Sequence, residues 1–194
     1  MSTVGLVLAA GAGRRMGGPK ALLRLSAGEP TLLECTLERL RSAGCPRLVV
    51  VTIAAGDAVS LLAVRAGAEV VGAPDWQEGM GASLRAGLTH LDPDVDDLAV
   101  VTPVDLPDVT AAVMARVVSA AEAEDRSALV RAAYRGVPGH PVAIGAVHWP
   151  AVVATASGDR GARDYLRATP HALVECGDLA TGHDLDTAAD LRRA

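Results

Sequence analysis

Leu8-Ala9-Ala10-Gly11-Ala12-Gly13-Arg14-Arg15-Met16-Gly17-Gly18-Pro19-Lys20 concentrates more unusual choices than any other stretch of the chain. Ahead of it, Val4, Leu6, Val7 and Leu8 form a short apolar run next to glycines, the pattern of a strand buried on both faces. The glycines at 11, 13, 17 and 18 then permit positive φ and bring bare backbone N–H groups to the end of that strand, which makes the loop an anion cradle. Arg14, Arg15, Lys20 and Arg24 are the only charged side chains in the first 28 residues. Because the whole chain carries −5, those four cations leave the remainder at −9. Positive charge focused on one loop of an acidic chain suits a polyphosphate ligand.

The 194 residues suffice for one substantial core, and a single domain over 1–194 is expected. Half are hydrophobic, but with no Phe, two Trp and two Tyr, the interior must be filled by Val, Leu and Ala. That composition suits helices layered on a mostly parallel sheet. A pI near 5.5 and scarce aromatics argue against nucleic acid as a main partner. Cys35, Cys45 and Cys176 are odd in number and lack a C-x-x-C pair, so neither a disulfide framework nor a zinc site is expected. The opening apolar run is too short to span a membrane and lacks the basic flank and cleavage pattern of a secretory signal. A cytoplasmic protein without a membrane partner is expected.

Along the chain, helical and extended periodicities alternate. Thr31 with Glu34 has the spacing of a capping box, and Leu33, Leu37 and Leu40 fall on one helical face until Gly44 and Pro46. Leu48–Ile53 reads as a second strand, a short helix around Val59 and Leu62 runs to Gly67, and 69–71 is a third strand. Pro74 to Ser83 is a loop opening into a helix with Leu84, Leu88 and Leu91 on one face. The strand 98–101 is cut short by Thr102-Pro103-Val104-Asp105-Leu106-Pro107, which places Asp105 just past a strand's carboxyl end, where open α/β sheets bind ligands. Asp108 is the expected cap of the next helix, with Val109, Val113 and Val117 inward. After a fifth strand at 128–131, Tyr134–Ile144 carries two prolines and reads as a turn feeding a strand near a sheet edge. A helical stretch from Gly145, broken at Pro150, then the stretch Gly158–Arg163, a short helix and a last strand over 171–176 follow. Thr187 and Asp190 have the spacing of a capping box for a terminal helix.

Six motifs stand in order: L-A-A-G-x-x-x-R-M-G-x-x-K at 8–20, G-M-G-x-S at 79–83, P-x-D-x-P at 103–107, G-H-P at 139–141, G-D-x-G-A-R at 158–163 and D-x-D-T at 184–187. Together they resemble the MobA-like nucleotidyltransferases, and among those the molybdenum cofactor cytidylyltransferases. The first motif also resembles that of sugar-phosphate nucleotidyltransferases. The resemblance implies a three-layer α/β, Rossmann-like nucleotidyltransferase fold of the nucleotide-diphospho-sugar transferase type, mostly parallel with one antiparallel strand. It also implies Mg²⁺, a nucleoside triphosphate (CTP before GTP), and a phosphorylated small-molecule acceptor, with molybdopterin foremost. On this likeness Leu8, Ala9, Ala10, Gly11, Gly13, Arg14, Arg15, Gly17, Lys20, Gly79 and Ser83 are nucleotide-binding. Arg15, Lys20 and Asp105 are catalytic, Asp105 and Asp186 hold the metal, and His140, Gly161 and Arg163 meet the acceptor. Members that act on molybdopterin often carry Cys-Asp after the proline and a Ser in the first loop, where this chain has Val104 and Gly13.

These residue types also suit the chemistry on their own account. Nucleotidyl transfer needs charge neutralisation and in-line placement more than covalent help. Magnesium prefers carboxylate oxygens together with phosphate and water, and Asp105 and Asp186 supply a carboxylate pair. Each position also has a plainer reading. Asp105 between prolines suits a turn, Asp186 ahead of a capped helix is favourable for its charge alone, small residues at 79 and 83 serve packing, and Arg160 and Arg163 suit a solvated face. A dinucleotide fingerprint fits poorly, because it needs a helix at once and an acid at the end of the second strand. Two further readings stay open: transfer to a sugar phosphate or another small phosphorylated acceptor, and a nucleotide-binding regulatory module without turnover.

Overall fold

The structure is a computed structural model that describes residues 1–13, 16–187 and 190. Seven strands form one sheet in the order β3-β2-β1-β4-β6-β5-β7: β1 Thr3–Leu8, β2 Arg47–Thr52, β3 Glu69–Gly72, β4 Leu98–Pro103, β5 Leu129–Tyr134, β6 Val137–Gly145 and β7 Ala172–Glu175. All pairings are parallel except those of β6, which runs against both β4 and β5. This is the mostly parallel sheet with one antiparallel strand that the motifs implied.

Helices cover both faces. On one lie α1 Leu32–Ser42, α2 Ala58–Arg65 and α4 Ala111–Glu122, whose Leu33, Leu37, Leu40, Val59, Val113 and Val117 pack with alternate strand residues such as Val7, Val50 and Val100. On the other lie α3 Met80–His90, α5 Trp149–Thr155 and α6 Arg163–Ala168, whose Leu84, Leu88, Trp149, Val152 and Leu166 meet Leu6, Val49, Val101 and Ile144. With almost no aromatics, the layers fill space by approaching closely. A Cβ at Gly87 would stand 2.8 Å from Leu6 Cδ1, and one at Gly5 would stand 2.7 Å from Leu48 Cδ2. The Thr31–Glu34 capping box forms as expected, with each side chain bonded to the other's backbone N–H.

Three local expectations need correction. β6 is interior rather than marginal, and it tolerates its prolines for a geometric reason. β4 pairs only with 142–145, so Pro138 and Pro141 lie on the overhanging half, flanked by β5 alone and next to the register shift between Arg131 and Ala133. Pro150 does not break the helix after Gly145. It occupies the first turn of α5, where its missing N–H costs no intrahelical bond. Asp108 does not cap α4, whose N-cap is Thr110. Instead its Oδ2 accepts from the backbone N–H and hydroxyl of Thr181 at 2.6 and 2.5 Å, tying the C-terminal segment to the end of β4's loop. Thr187 and Asp190 do exchange reciprocal capping bonds. Most of the terminal helix expected after them falls at 188, 189 and 191–194, outside the described residues.

The order of the strands positions the site. From β1 the chain winds outward through β2 to β3, then returns to place β4 on the opposite side of β1. The two loops leaving β1 and β4 therefore diverge from adjacent strand ends, with Leu8 opposite Pro103, at the crevice where open α/β sheets take ligands.

Candidate active site

Gly13 shapes the first loop. Its φ is +58°, its carbonyl accepts from the amides of Met16 and Gly18, and a Cβ there would lie 1.7 Å from the Gly18 carbonyl oxygen. The loop thus doubles back on itself, and Pro19 then starts the short 3₁₀ turn Lys20–Leu22. That turn aims Lys20 at the mouth of the crevice. Its Nζ donates to Asp105 Oδ2 at 2.7 Å and to Asp186 Oδ1 at 3.0 Å. Three segments far apart in sequence meet at one ammonium. Asp186 is delivered there by the C-terminal segment, which is fixed by the Leu185 amide on the Asp105 carbonyl at 3.0 Å, by Thr181 on Asp108 and by Asp178 on Arg116. Burial pulls the Lys20 pKa down, but the hydrogen bonds and negative charge of Asp105 and Asp186 outweigh it and hold it above the ordinary lysine value. Lys20 is a cation throughout the working pH range.

Around this cluster opens a cleft of about 900 Å³. It is lined by the β1 loop from Leu8 to Gly13, by Gly79, Met80 and Ser83 at the start of α3, and by Gly139, His140, Gly161 and Arg163. The expected residues Leu8, Ala9, Ala10, Gly11, Gly13, Lys20, Gly79, Ser83, Asp105, His140, Gly161, Arg163 and Asp186 all line it. Gly17 has positive φ and is not among the residues that line the cleft. Arg14 and Arg15 lie outside the described residues.

Gly79 serves packing as well as the cleft. Its φ is +113°, and a Cβ there would come within 2.3 Å of Asp159 Oδ1. Gly81 is similarly close, since a Cβ would stand 2.7 Å from the Ser157 amide nitrogen. The G-M-G motif and the 157–161 turn are therefore fitted to each other across the cleft's rim. Arg85 reinforces the join by bonding the Ala156 carbonyl and Glu78. Trp76 and Asp184 also face the cleft. So does Arg131, which sequence reasoning passed over. Its signal was there: one arginine in the otherwise apolar run Leu129-Val130-Arg131-Ala132-Ala133.

Arg131 and Arg163 make the surroundings of His140 cationic. Burial, with the charges of Arg131 and Arg163, pushes the His140 pKa down to about 4, so its imidazole is neutral at pH 7. The metal expectation can be tested on the donor set. Among the described residues no group of three or more His, Cys, Asp or Glu is arranged to hold a metal unaided. Asp105 and Asp186 nevertheless converge on a single cation, the Lys20 ammonium, and two carboxylates with open positions left over fit Mg²⁺, which keeps waters and phosphate oxygens in its shell.

Residues 5–173 match the family model of the MobA-like NTP transferase domain. The chain belongs to this family. Nicotine blue oxidoreductase of Paenarthrobacter nicotinovorans is 36% identical, over 97% of this chain and 94% of that protein. The crystal structure of Rv0371c from Mycobacterium tuberculosis H37Rv superposes with a TM-score of 0.76 at 28% identity, covering 100% of this chain and 97% of that one. Rv0371c has also been solved in complex with manganese, matched here with a TM-score of 0.73 at 27% identity over the same shares. A nucleotidyl transferase from Methanothermobacter shares the fold, with a TM-score of 0.77 at 23% identity over 99% of this chain and 95% of that one. No helix among the described residues is long and apolar enough to cross a membrane.

Proposed function

We propose that this MobA-like protein transfers a nucleoside monophosphate from a nucleoside triphosphate, with CTP favoured over GTP, to a phosphate oxygen of a small phosphorylated acceptor. A molybdopterin-type acceptor is the first candidate and a sugar phosphate the second. The observation that carries this reading is the Lys20 ammonium shared by Asp105 and Asp186 at the crevice between β1 and β4. An acceptor phosphate oxygen would attack the α-phosphorus, the α–β anhydride bond would break, and pyrophosphate would leave, so no protein nucleophile is needed. The β1 loop would cradle the triphosphate. Lys20, permanently charged and held at a fixed point, would stabilise the charge growing on the leaving pyrophosphate. Arg15 is assigned the same task by its place in the first motif. Gly79 and Ser83 would border the nucleoside. Asp105 and Asp186 would hold Mg²⁺, which when bound neutralises charge on the triphosphate; the manganese complex of Rv0371c supports a divalent ion for this chain as well.

The test is a panel of the four ribonucleoside triphosphates against phosphorylated acceptors, including molybdopterin-type pterins, scored by pyrophosphate release with Mg²⁺ present. Release with at least one pair, abolished in Asp105→Ala, supports the reading. Tight nucleotide binding with no release from any pair would favour the regulatory module instead.

The name of the 36%-identical relative favours a second reading, an oxidoreductase working in the same cleft. The local geometry offers that reading little support. No helix follows β1 at once, since α1 begins only at Leu32, and the first carboxylate after β2 is Asp57, whose side chain is taken up by capping the Ser60 amide. Oxidation of NADH or NADPH in the same acceptor panel, without pyrophosphate release, would decide for it.

A further inference from the structure

We propose that Arg131, with Arg163 and His140, forms a phosphoryl-binding subsite that seats the attacking phosphate monoester as a dianion, with Arg131 as its central recognition residue.

Arg131 lies on the same face of β5 as Leu129, and on the sheet it stands opposite Val142 of β6, which in turn stands opposite Val101 of β4. It is therefore two strand spacings, about 9–10 Å, from β4, whose following loop carries Asp105. An anion seated there would lie across the cleft from Lys20, on the side away from the β1 loop.

The chemistry of Arg131 asks for a ligand. Arg47, Arg85, Arg116 and Arg126 each hold a carboxylate, whereas Arg131 and Arg163 form no ion pair among the described residues. Arg131 is half-buried, with Nε donating to the Gly139 carbonyl at 2.9 Å and Nη2 to that of Pro138 at 3.2 Å. These bonds explain part of its presence, because they tie down the proline-bearing half of β6 that β4 does not pair. They also fix the guanidinium plane and leave Nη1 and the second Nη2 hydrogen without an acceptor among the described residues. A planar fork with free donors in a fixed orientation is the geometry that grips phosphate oxygens. Burial and the charge of Arg163 depress the Arg131 pKa, and both arginines act on His140, so three basic groups stand together, with no ion pair to either arginine among the described residues. An unpaired charge partly removed from water is costly, and a bound dianion would offset that cost for Arg131, with the exposed Arg163 adding attraction from the solvent side. The neutral imidazole adds a hydrogen-bond donor without adding to the repulsion.

Naming the anion as the attacking group rests on the nucleotidyl-transfer reading, while the subsite can be tested separately. Inorganic phosphate is titrated by calorimetry into the wild type, Arg131→Gln, Arg131→Lys and Arg163→Gln, each saturated with a non-hydrolysable CTP analogue and Mg²⁺, and the analogue itself is titrated in parallel. The wild type is expected to bind phosphate, Arg131→Gln at least tenfold more weakly, Arg163→Gln weaker by a smaller factor, and Arg131→Lys between wild type and Arg131→Gln. Analogue affinity should stay within about twofold throughout. Phosphate should raise the melting temperature of the wild type but not of Arg131→Gln. No phosphate binding by the wild type overturns the subsite. So does equal binding by the wild type and Arg131→Gln, even if both Arg131 variants melt earlier, since that pattern leaves only a structural clamp. If the analogue fails to bind while phosphate binding still depends on Arg131, the nucleotidyl-transfer reading falls and the subsite stands.

Discussion

At the scale of single residues, Lys20 is held between two carboxylates in a protein that is acidic overall, and its charge serves the site more than the fold. Both pairs are partly open to solvent, Asp186 more than half so, and pairs of that kind contribute little to stability. Lys20→Met is therefore expected to leave the urea midpoint nearly unchanged while lowering turnover by about 10²–10³, the usual effect of removing one fixed donor from a developing charge. Steady-state pyrophosphate release beside equilibrium unfolding checks both halves. His140 behaves in the opposite way. Its folded pKa of about 4 lies below the ordinary value near 6.5, so between those pH values the unfolded chain takes up a proton that the folded protein refuses. Stability should be level above about pH 6.5 and fall on acidification toward pH 4, by up to roughly 3 kcal/mol from this group. Urea unfolding at pH 7 and pH 4.5 should show a smaller acid loss in His140→Asn than in the wild type. Lys20, Asp105 and His140 were legible in the sequence because each sits in a short motif. Arg131 left only a local trace, one arginine in an apolar run, because its meaning depends on β6 folding back beside β5.

At the scale of elements, the loops depend on what a side chain would strike. Gly13→Ala would drive a Cβ into the Gly18 carbonyl and spoil the doubled-back loop, yet none of residues 11–13 and 16–19 belongs to either core. Triphosphate affinity is expected to fall at least tenfold with a small change in melting temperature, measured by calorimetry of binding and of unfolding. Gly81→Ala presses on the backbone of Ser157 instead, and overpacking of that kind costs about 1–3 kcal/mol, readable from the urea midpoint. Gly11→Ala, with open space at its Cβ position, should cost neither packing nor loop closure. Strand and helix order could be read because apolar runs and the Thr31–Glu34 capping box are local signals. The errors came where a local rule met a tertiary fact. Pro138 and Pro141 suggested a strand near a sheet edge, but β6 overhangs its β4 partner, so an interior strand can carry them. Asp108 looked like a cap until the returning C-terminal segment brought Thr181 to it.

At the scale of the whole molecule, Lys20, Asp105 and Asp186 meet because β4 returns to the side of β1 opposite β2 and because the chain after β7 crosses back over the start of α4. The meeting was implied by the six ordered motifs, but its geometry follows only from the strand order. The central claim is that the two carboxylates serve a divalent ion next to a bound triphosphate. Electron paramagnetic resonance of Mn²⁺, titrated into the protein with a non-hydrolysable CTP analogue, tests this directly. The wild type is expected to bind one Mn²⁺ tightly, and Asp105→Asn and Asp186→Asn are each expected to bind it at least tenfold more weakly. Equal Mn²⁺ binding by the wild type and the doubly substituted protein would contradict the claim.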